Sequence, residues 1–412
     1  MHRRDFLQSM ALTSSLLLPI GRNAWAVTTN SADDTKRKLI VIMLRGAVDG
    51  LNVVAPYGDA NYARLRPSIG LARPGREGGA IDLDGYFGLH PALDDIRPLW
   101  EQKKLAFVHA SGSPDASRSH FDAQDYLESG TPGEKGTQDG WLNRLLMTLP
   151  GTATPTRAIS IGPVMPRILS GHATATNLAS GAAGTRANLL DRPRISGAFD
   201  QLYENNPRFS KAYIDAKASH KEVMEASVDT EMHIADGGAP LPNGFSSDAA
   251  RLAVLMRKDP NIQCVFIPLG GWDTHANQGA AKGQLANRLA ALGSGLSTLA
   301  QRLGPMFDDT TIVVMSEFGR TAKENGNGGT DHGHGNVMWL LGGSVVGGKV
   351  HGDWQGIGDA QLHEGRDVPV TTDFRTVLAQ VAERHLRLKD TQLVRVFSSM
   401  PQPSRPLQLL RA

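Results

Sequence analysis

At 412 residues the chain is long enough for one large α/β domain or two smaller ones. Its 43 basic and 41 acidic residues leave a net charge of +2, so no basic field marks it as a nucleic-acid binder. An apolar share of 40% with 20% charged residues fits an ordinary globule, and the single cysteine, Cys264, excludes an internal disulfide.

The N-terminus carries Arg3-Arg4, a short apolar run from Met10 to Ile20, and Ala24-Trp25-Ala26 in the small-x-small form of a cleavage site. In that order these are the features of a twin-arginine export signal. The apolar run is too short to span a bilayer, which takes about 20 residues. The expectation is a signal peptide over residues 1–26 and a single domain over 27–412, delivered to the periplasm or beyond. No later segment reads as an integral membrane span.

KLIVIML, residues 38–44, is a continuous β-rich apolar run of the kind found in the centre of a parallel sheet. Residues 92–102 have helical spacing, and LAFVHA (105–110) is a second strand. SHFDAQDYLES forms a helix after a Ser/Pro/Asp loop. AISIGPVMPRIL (residues 158–169) contains a further strand-like piece, and residues 185–258 read as a helical insertion or cap. IQCVFIPLGG, TTIVVMSEFG and NVMWLLGG are strands, and LANRLAALGSGLSTLAQRLG is a long amphipathic helix. TDFRTVLAQVAERHL is a helix with Thr371 or Thr372 as its N-cap. Such alternation predicts an α/β fold: a doubly wound, mostly parallel sheet with helices on both faces.

Ligands of such sheets bind beyond the carboxyl ends of the strands. The residues falling there are Asp49; Asp115, Ser117, Arg118, Ser119 and His120; Asp273 and His275; Glu317 and Arg320; and, just before a strand, Asp331, His332 and His334 in GTDHGHGN. Carboxylates and imidazoles suit Zn²⁺ or Mn²⁺, and carboxylate-rich sets also take Mg²⁺ or Ca²⁺. The metal candidates are Asp49, Asp273, His275, Glu317, Asp331, His332 and His334, for one or two divalent ions. Ser119 opens a helix and is the candidate nucleophile, with Ser117 or water as rivals. Arg118 and Arg320 are candidates to hold phosphate or sulfate oxygens. Each has a plainer reading. Asp49 could cap a turn, Ser119 could be only a helix cap, and Glu317 and Arg320 could pair at i, i+3. His120 is expected to pack or bind rather than catalyse, His90 to cap, His109 to pack, and His351 and His385 to lie on the surface. The glycines of GTDHGHGN are expected to let the backbone turn tightly.

RGAVDGLN, DASRSHFDAQD, GGWDTHANQ, VVMSEFGRT and GTDHGHGN together resemble the hallmark blocks of the domain-of-unknown-function family numbered 1501, typically exported bacterial proteins. The resemblance implies an alkaline-phosphatase-like fold with a two-metal site at the strand ends. It implies that Asp49 corresponds to the first metal aspartate, Ser119 to the nucleophile, Asp273 and His275 to an Asp/His pair, and His332 or His334 to the last histidine. Glu317 stands where an Asp-His pair is usual, and the following Phe318 cannot bind metal. The Cys/Ser-x-Pro-x-Arg signature of formylglycine sulfatases is absent at Ser113-Pro114.

The expected function is that of an exported, metal-dependent hydrolase or transferase acting on phosphate or sulfate esters of a small molecule or glycan. The alternative is a non-catalytic protein that binds a ligand or partner in the same cleft. Neither the substrate nor the oligomeric state is legible in the chain.

Overall fold

The computed structural model describes residues 36–151, 153–181, 235–398 and 407–411. The expected export signal and residues 185–234 of the expected insertion lie outside these residues.

Nine strands form the main sheet: β1 (Lys38–Leu44), β2 (Leu105–Gly112), β3 (Ala158–Ile161), β4 (Thr176–Leu178), β5 (Cys264–Leu269), β6 (Thr310–Ser316), β7 (Asn336–Gly342), β8 (Lys349–His351) and β9 (Thr372–Asp373). Their order is β8-β2-β7-β6-β1-β5-β3-β4, with β9 beside β2. β1 pairs in parallel with β5 and β6, and β3 does so with β5 and β4. β7 runs antiparallel to both neighbours. One reversed strand in a parallel sheet has a useful result. The loop before β7 leaves from the same edge as the loops that follow β1, β2, β5 and β6.

Every residue of β1 is buried, because both faces of the sheet are covered. Ile40, Ile42 and Leu44 point into one core, with helices α3 (Phe245–Lys258) and α4 (Gln284–Leu303). Leu39, Val41 and Met43 point into the other, with α2 (Trp141–Thr148), α5 (Phe374–Gln380) and α6 (Asp390–Val396). Each such aliphatic side chain contributes about 1.5–3 kcal/mol on leaving water, so the strand ends are held by a two-sided core. Helix α1 (His120–Ser129) follows β2 with Ser119 as its N-cap.

Some readings need correction. The cap of α5 is Asp373, whose side chain accepts from the Arg375 N–H at 2.8 Å, and not Thr371 or Thr372. His351 and His385 are buried. His385 lies between Lys38 and Ser344, where its ring gives and takes hydrogen bonds unavailable on a surface.

Candidate metal centre

Three connections bring the chemistry together at one sheet edge: those after β2 and β5 and the one that joins β6 to β7. Asp273 and His275 follow β5, Glu317 follows β6 directly, His332 precedes β7, and His120 opens α1 after β2. The β1 loop closes tightly on the β5 loop: Gly46 has φ +110°, and a Cβ there would lie 2.7 Å from the Asp273 backbone nitrogen. That approach requires glycine on both counts.

His120, Asp273 and His332 each offer one ligand atom, all within 4.8 Å of one another. The Nε2 of His332 lies 3.0 Å from that of His120 and 2.9 Å from that of His275. Asp273 reaches all three rings: His275 at 3.0 Å, His332 at 3.5 Å and His120 at 3.6 Å. The opposite ring nitrogens are spoken for. Nδ1 of His120 faces Glu317 Oε1 at 2.8 Å, Nδ1 of His332 faces the Arg118 carbonyl at 2.9 Å, and Nδ1 of His275 faces Asp331 at 3.3 Å. Oxygens of this kind only accept, so each Nδ1 carries the proton. In the neutral rings the Nε2 lone pairs therefore point at one another, which is unfavourable without a cation between them. Fixing imidazole ligands through Nδ1 in this way is how metal sites orient histidines, and the donor set fits a divalent ion.

Without a metal, a proton takes that role. Burial alone would lower the His120 pKa, but Asp273 and Glu317 outweigh it and raise it to about 9. Asp273 raises that of His275. Burial opposes the ionised form of Asp273, yet hydrogen bonds from His120, His275 and His332 and the charge of Arg320 hold its carboxyl far below the carboxylate range. Burial likewise opposes the charge on Glu317, and His120 reverses it. Phe318 is buried and packs on the rings of His120 and His332, at 4.9 and 5.1 Å between centroids. It walls the cluster on the side where the sequence offers no metal-binding group.

The remaining candidates fall elsewhere or do other work. Asp49 is fully buried, but Arg66 forms a salt bridge with it and Gln278 donates to it at 2.7 Å. Glu317 accepts at Oε1 from the Gly46 N–H, the His120 Nδ1–H and the Gln124 amide, which puts it on the far edge of the His120 ring from the facing Nε2 atoms. Asp331 accepts from Asn325, the main reason its pKa is lowered, and orients His275. His334 stacks on His363 instead of joining His332, and burial lowers its pKa. Ser119 caps α1 through a long bond, 3.5 Å to the Asp122 N–H. The Arg118 guanidinium is held by Glu364 and Asp367, both at 2.7 Å. Arg320 is buried and donates to the carbonyls of Gly46, Ala47, Trp272 and Thr330 and to Asp273. It does not pair with Glu317. Arg320 is thus committed to protein acceptors throughout, whereas Arg118 is held through Nη2 alone and its Nε has no partner among the described residues.

Sequence reasoning gave His120 no catalytic part and missed Gln124 and Arg66. Gln124 lies one helical turn after His120 and donates to Glu317 at 3.0 Å, an i, i+4 relation that was available as a signal. Arg66 follows a short helix with nothing in its surroundings to mark it.

The fold and this cluster define an α/β protein with a histidine–aspartate site at the carboxyl edge of its sheet. Residues 100–397 match the family described as "Protein of unknown function (DUF1501)", and the chain belongs to that family. Four of the five sequence blocks fall in that range; RGAVDGLN precedes it. No curated protein matches the chain. Among solved structures, Ps i-CgsB in complex with k-i-k-neocarrahexaose is similar over 86% of this chain and 73% of that one, at 13% identity and a TM-score of 0.42. A protein in the alkaline phosphatase superfamily from Vibrio parahaemolyticus is similar over 76% and 62%, at 10% identity and 0.39. The lipoteichoic acid synthase LtaP from Listeria monocytogenes is similar over 77% and 68%, at 8% identity and 0.35.

Proposed function

We propose that this chain is an exported, metal-dependent hydrolase or transferase of phosphate or sulfate esters. His120, Asp273 and His332 would hold the ion, with His275 at the more exposed side. The observation that carries the metal reading is the commitment of all three Nδ1 positions to acceptor oxygens, which turns the Nε2 lone pairs on one another beside Asp273. Mixed nitrogen and oxygen donors favour Zn²⁺ or Mn²⁺ over Mg²⁺ or Ca²⁺. Such an ion supplies Lewis acidity for charge developing on an ester oxygen.

The chain's own residues prepare the site. Arg320 pins the carboxylate of Asp273, the Arg118 carbonyl and Glu317 set two imidazoles, and Phe318 keeps water from one wall. The ester class rests on the family resemblance. A second reading, a binding protein without turnover, draws support from Arg320, whose buried guanidinium is taken up by protein acceptors and is not presented to an anion.

Metal analysis of the purified protein comes first. Stoichiometric Zn or Mn and a gain in melting temperature on adding it are expected; neither being found would count strongly against the metal reading. Hydrolysis of aryl phosphate, phosphodiester or aryl sulfate would then support the enzyme. Metal without turnover of any of the three would favour the binding protein. Export is tested separately, by loss of the protein from the periplasmic fraction on Arg3→Lys with Arg4→Lys.

A further inference from the structure

Glu317 stands at the edge of the cluster with no solvent exposure. Oε1 accepts from the Gly46 N–H at 2.7 Å, the His120 Nδ1–H at 2.8 Å and the Gln124 amide at 3.0 Å; the Ser316 hydroxyl lies 3.0 Å from Oε2 but shares its one hydrogen with the Leu44 carbonyl at 2.6 Å. Three donors crowd Oε1, and the His120 Nδ1 among them lies on the ring edge opposite the Nε2 that faces His332. Taking Glu317 as a ligand would leave buried donors, the Gly46 N–H among them, without partners.

Charge leads to the same place. With neutral imidazoles, the carboxylates of Asp273 and Glu317, and that of Asp331 at the exposed side, stand against the one guanidinium of Arg320, which leaves two negative charges. One divalent ion is compatible with that. A second would bring two more positive charges after the first had balanced the site, and uncompensated buried charge is costly. Asp49 offers no relief, because Arg66 already balances it.

We propose that Glu317 is a positioning residue that fixes His120, not a metal ligand, and that the cluster takes one divalent ion. This rests on the metal reading given above. A shell carboxylate of this kind typically governs 10–100-fold in metal affinity.

The experiment is calorimetric titration of the metal-free full chain with Zn²⁺, repeated with Glu317→Gln, alongside the absorption spectrum of the Co²⁺ forms. One ion per chain is expected. Glu317→Gln should still bind one ion, about 10–100-fold more weakly, with the Co²⁺ bands of the unaltered ligand set. Two ions per chain, unchanged affinity in Glu317→Gln, or Co²⁺ bands showing a lost ligand would each overturn the inference while leaving the metal reading standing. No ion bound by the unaltered chain would sink the metal reading itself, and this inference with it. Should Glu317→Gln not fold, Glu317→Asp serves: it keeps the charge but withdraws it from His120, and affinity equal to that of the unaltered chain would overturn the proposal.

Discussion

The Nε2 atoms of His120 and His332 face each other at 3.0 Å, while the Nδ1 of each ring is turned to an oxygen that can only accept. Two lone pairs do not hold a structure together at that distance, so the pair needs a shared cation. With Zn²⁺ at 100 times its dissociation constant, the folded state should gain about 2.7 kcal/mol. His332→Ala removes one of the facing nitrogens. Its expected effect is a loss of affinity of at least about 100-fold and of nearly all the Zn²⁺-dependent rise in melting temperature. A variant that keeps the full rise would show that the metal sits elsewhere.

Arg320 is a structural cation. It is buried, and its nitrogens serve four carbonyls and Asp273. Arg320→Met leaves Asp273 without its fixed partner and should cost about 3–5 kcal/mol, the range for breaking a buried pair. Arg320→Lys should recover little, because an ammonium cannot reach acceptors arranged around a planar fork. Arg118→Ala is the contrast: its side chain is a third exposed, and the group that meets His332 is its backbone carbonyl. It should leave metal affinity within about 3-fold of the parent, since no ligand-orienting bond is lost. Urea unfolding and metal titration read both effects. Arg320→Lys within about 1 kcal/mol of the parent would refute the structural role.

The sheet was legible because its strands are continuous apolar runs, and continuity is what two-sided burial demands of KLIVIML or TTIVVMS. The strand-end rule found the loops that carry Asp273, His275, Glu317 and His332. It could not say which way each side chain turns. Glu317 directly follows its strand and turns back to meet Gly46, while His334, two residues from His332, turns to His363. Partners distant in sequence, such as Arg66 with Asp49 or Glu364 and Asp367 with Arg118, decide whether a charged group is free. No local pattern records them.

Three buried histidines make the fold less stable in acid. His90, His109 and His385 each have a ring nitrogen at a backbone carbonyl, of Ala280, Val54 and Lys38. Burial lowers each pKa to about 4. Above pH 6.5 the rings are neutral in both folded and unfolded chains, and their contribution is fully present. Between 6.5 and 4 the unfolded chain takes up protons that the folded chain refuses. Stability therefore falls as pH falls through that window, by up to about 1.4 kcal/mol per pH unit for each ring. Urea midpoints measured from pH 7.5 to 4.5 in EDTA should show this decline, and His385→Gln should make it shallower. An equal slope in the variant would remove His385 from the account.

The glycines of GTDHGHGN serve close approach and not tight turning. Gly329, Gly333 and Gly335 all lack positive φ. The Gly333 N–H donates to the Gly319 carbonyl and the Gly319 N–H to the His334 carbonyl, both at 2.8 Å. This joins the two ends of the connection between β6 and β7, with bare backbone meeting bare backbone. A Cβ on Gly333 would overlap the backbone of Arg320, and one on Gly335 would come within 2.6 Å of the Pro369 carbonyl. Gly333→Ala must therefore displace either Arg320, which pins Asp273, or the segment bearing His332. The expected outcome is a folded chain with at least about 10-fold weaker Zn²⁺ binding, since loss of ligand orientation is felt on that scale. Gly326→Ala is the control in the same loop: its Cβ would meet nothing within 4 Å, and its φ is not positive. That substitution should shift stability by no more than about 0.5 kcal/mol and leave the metal affinity alone. If the two alanine variants bind Zn²⁺ equally well, the contact between the two ends of this loop does not set the geometry of the metal cluster.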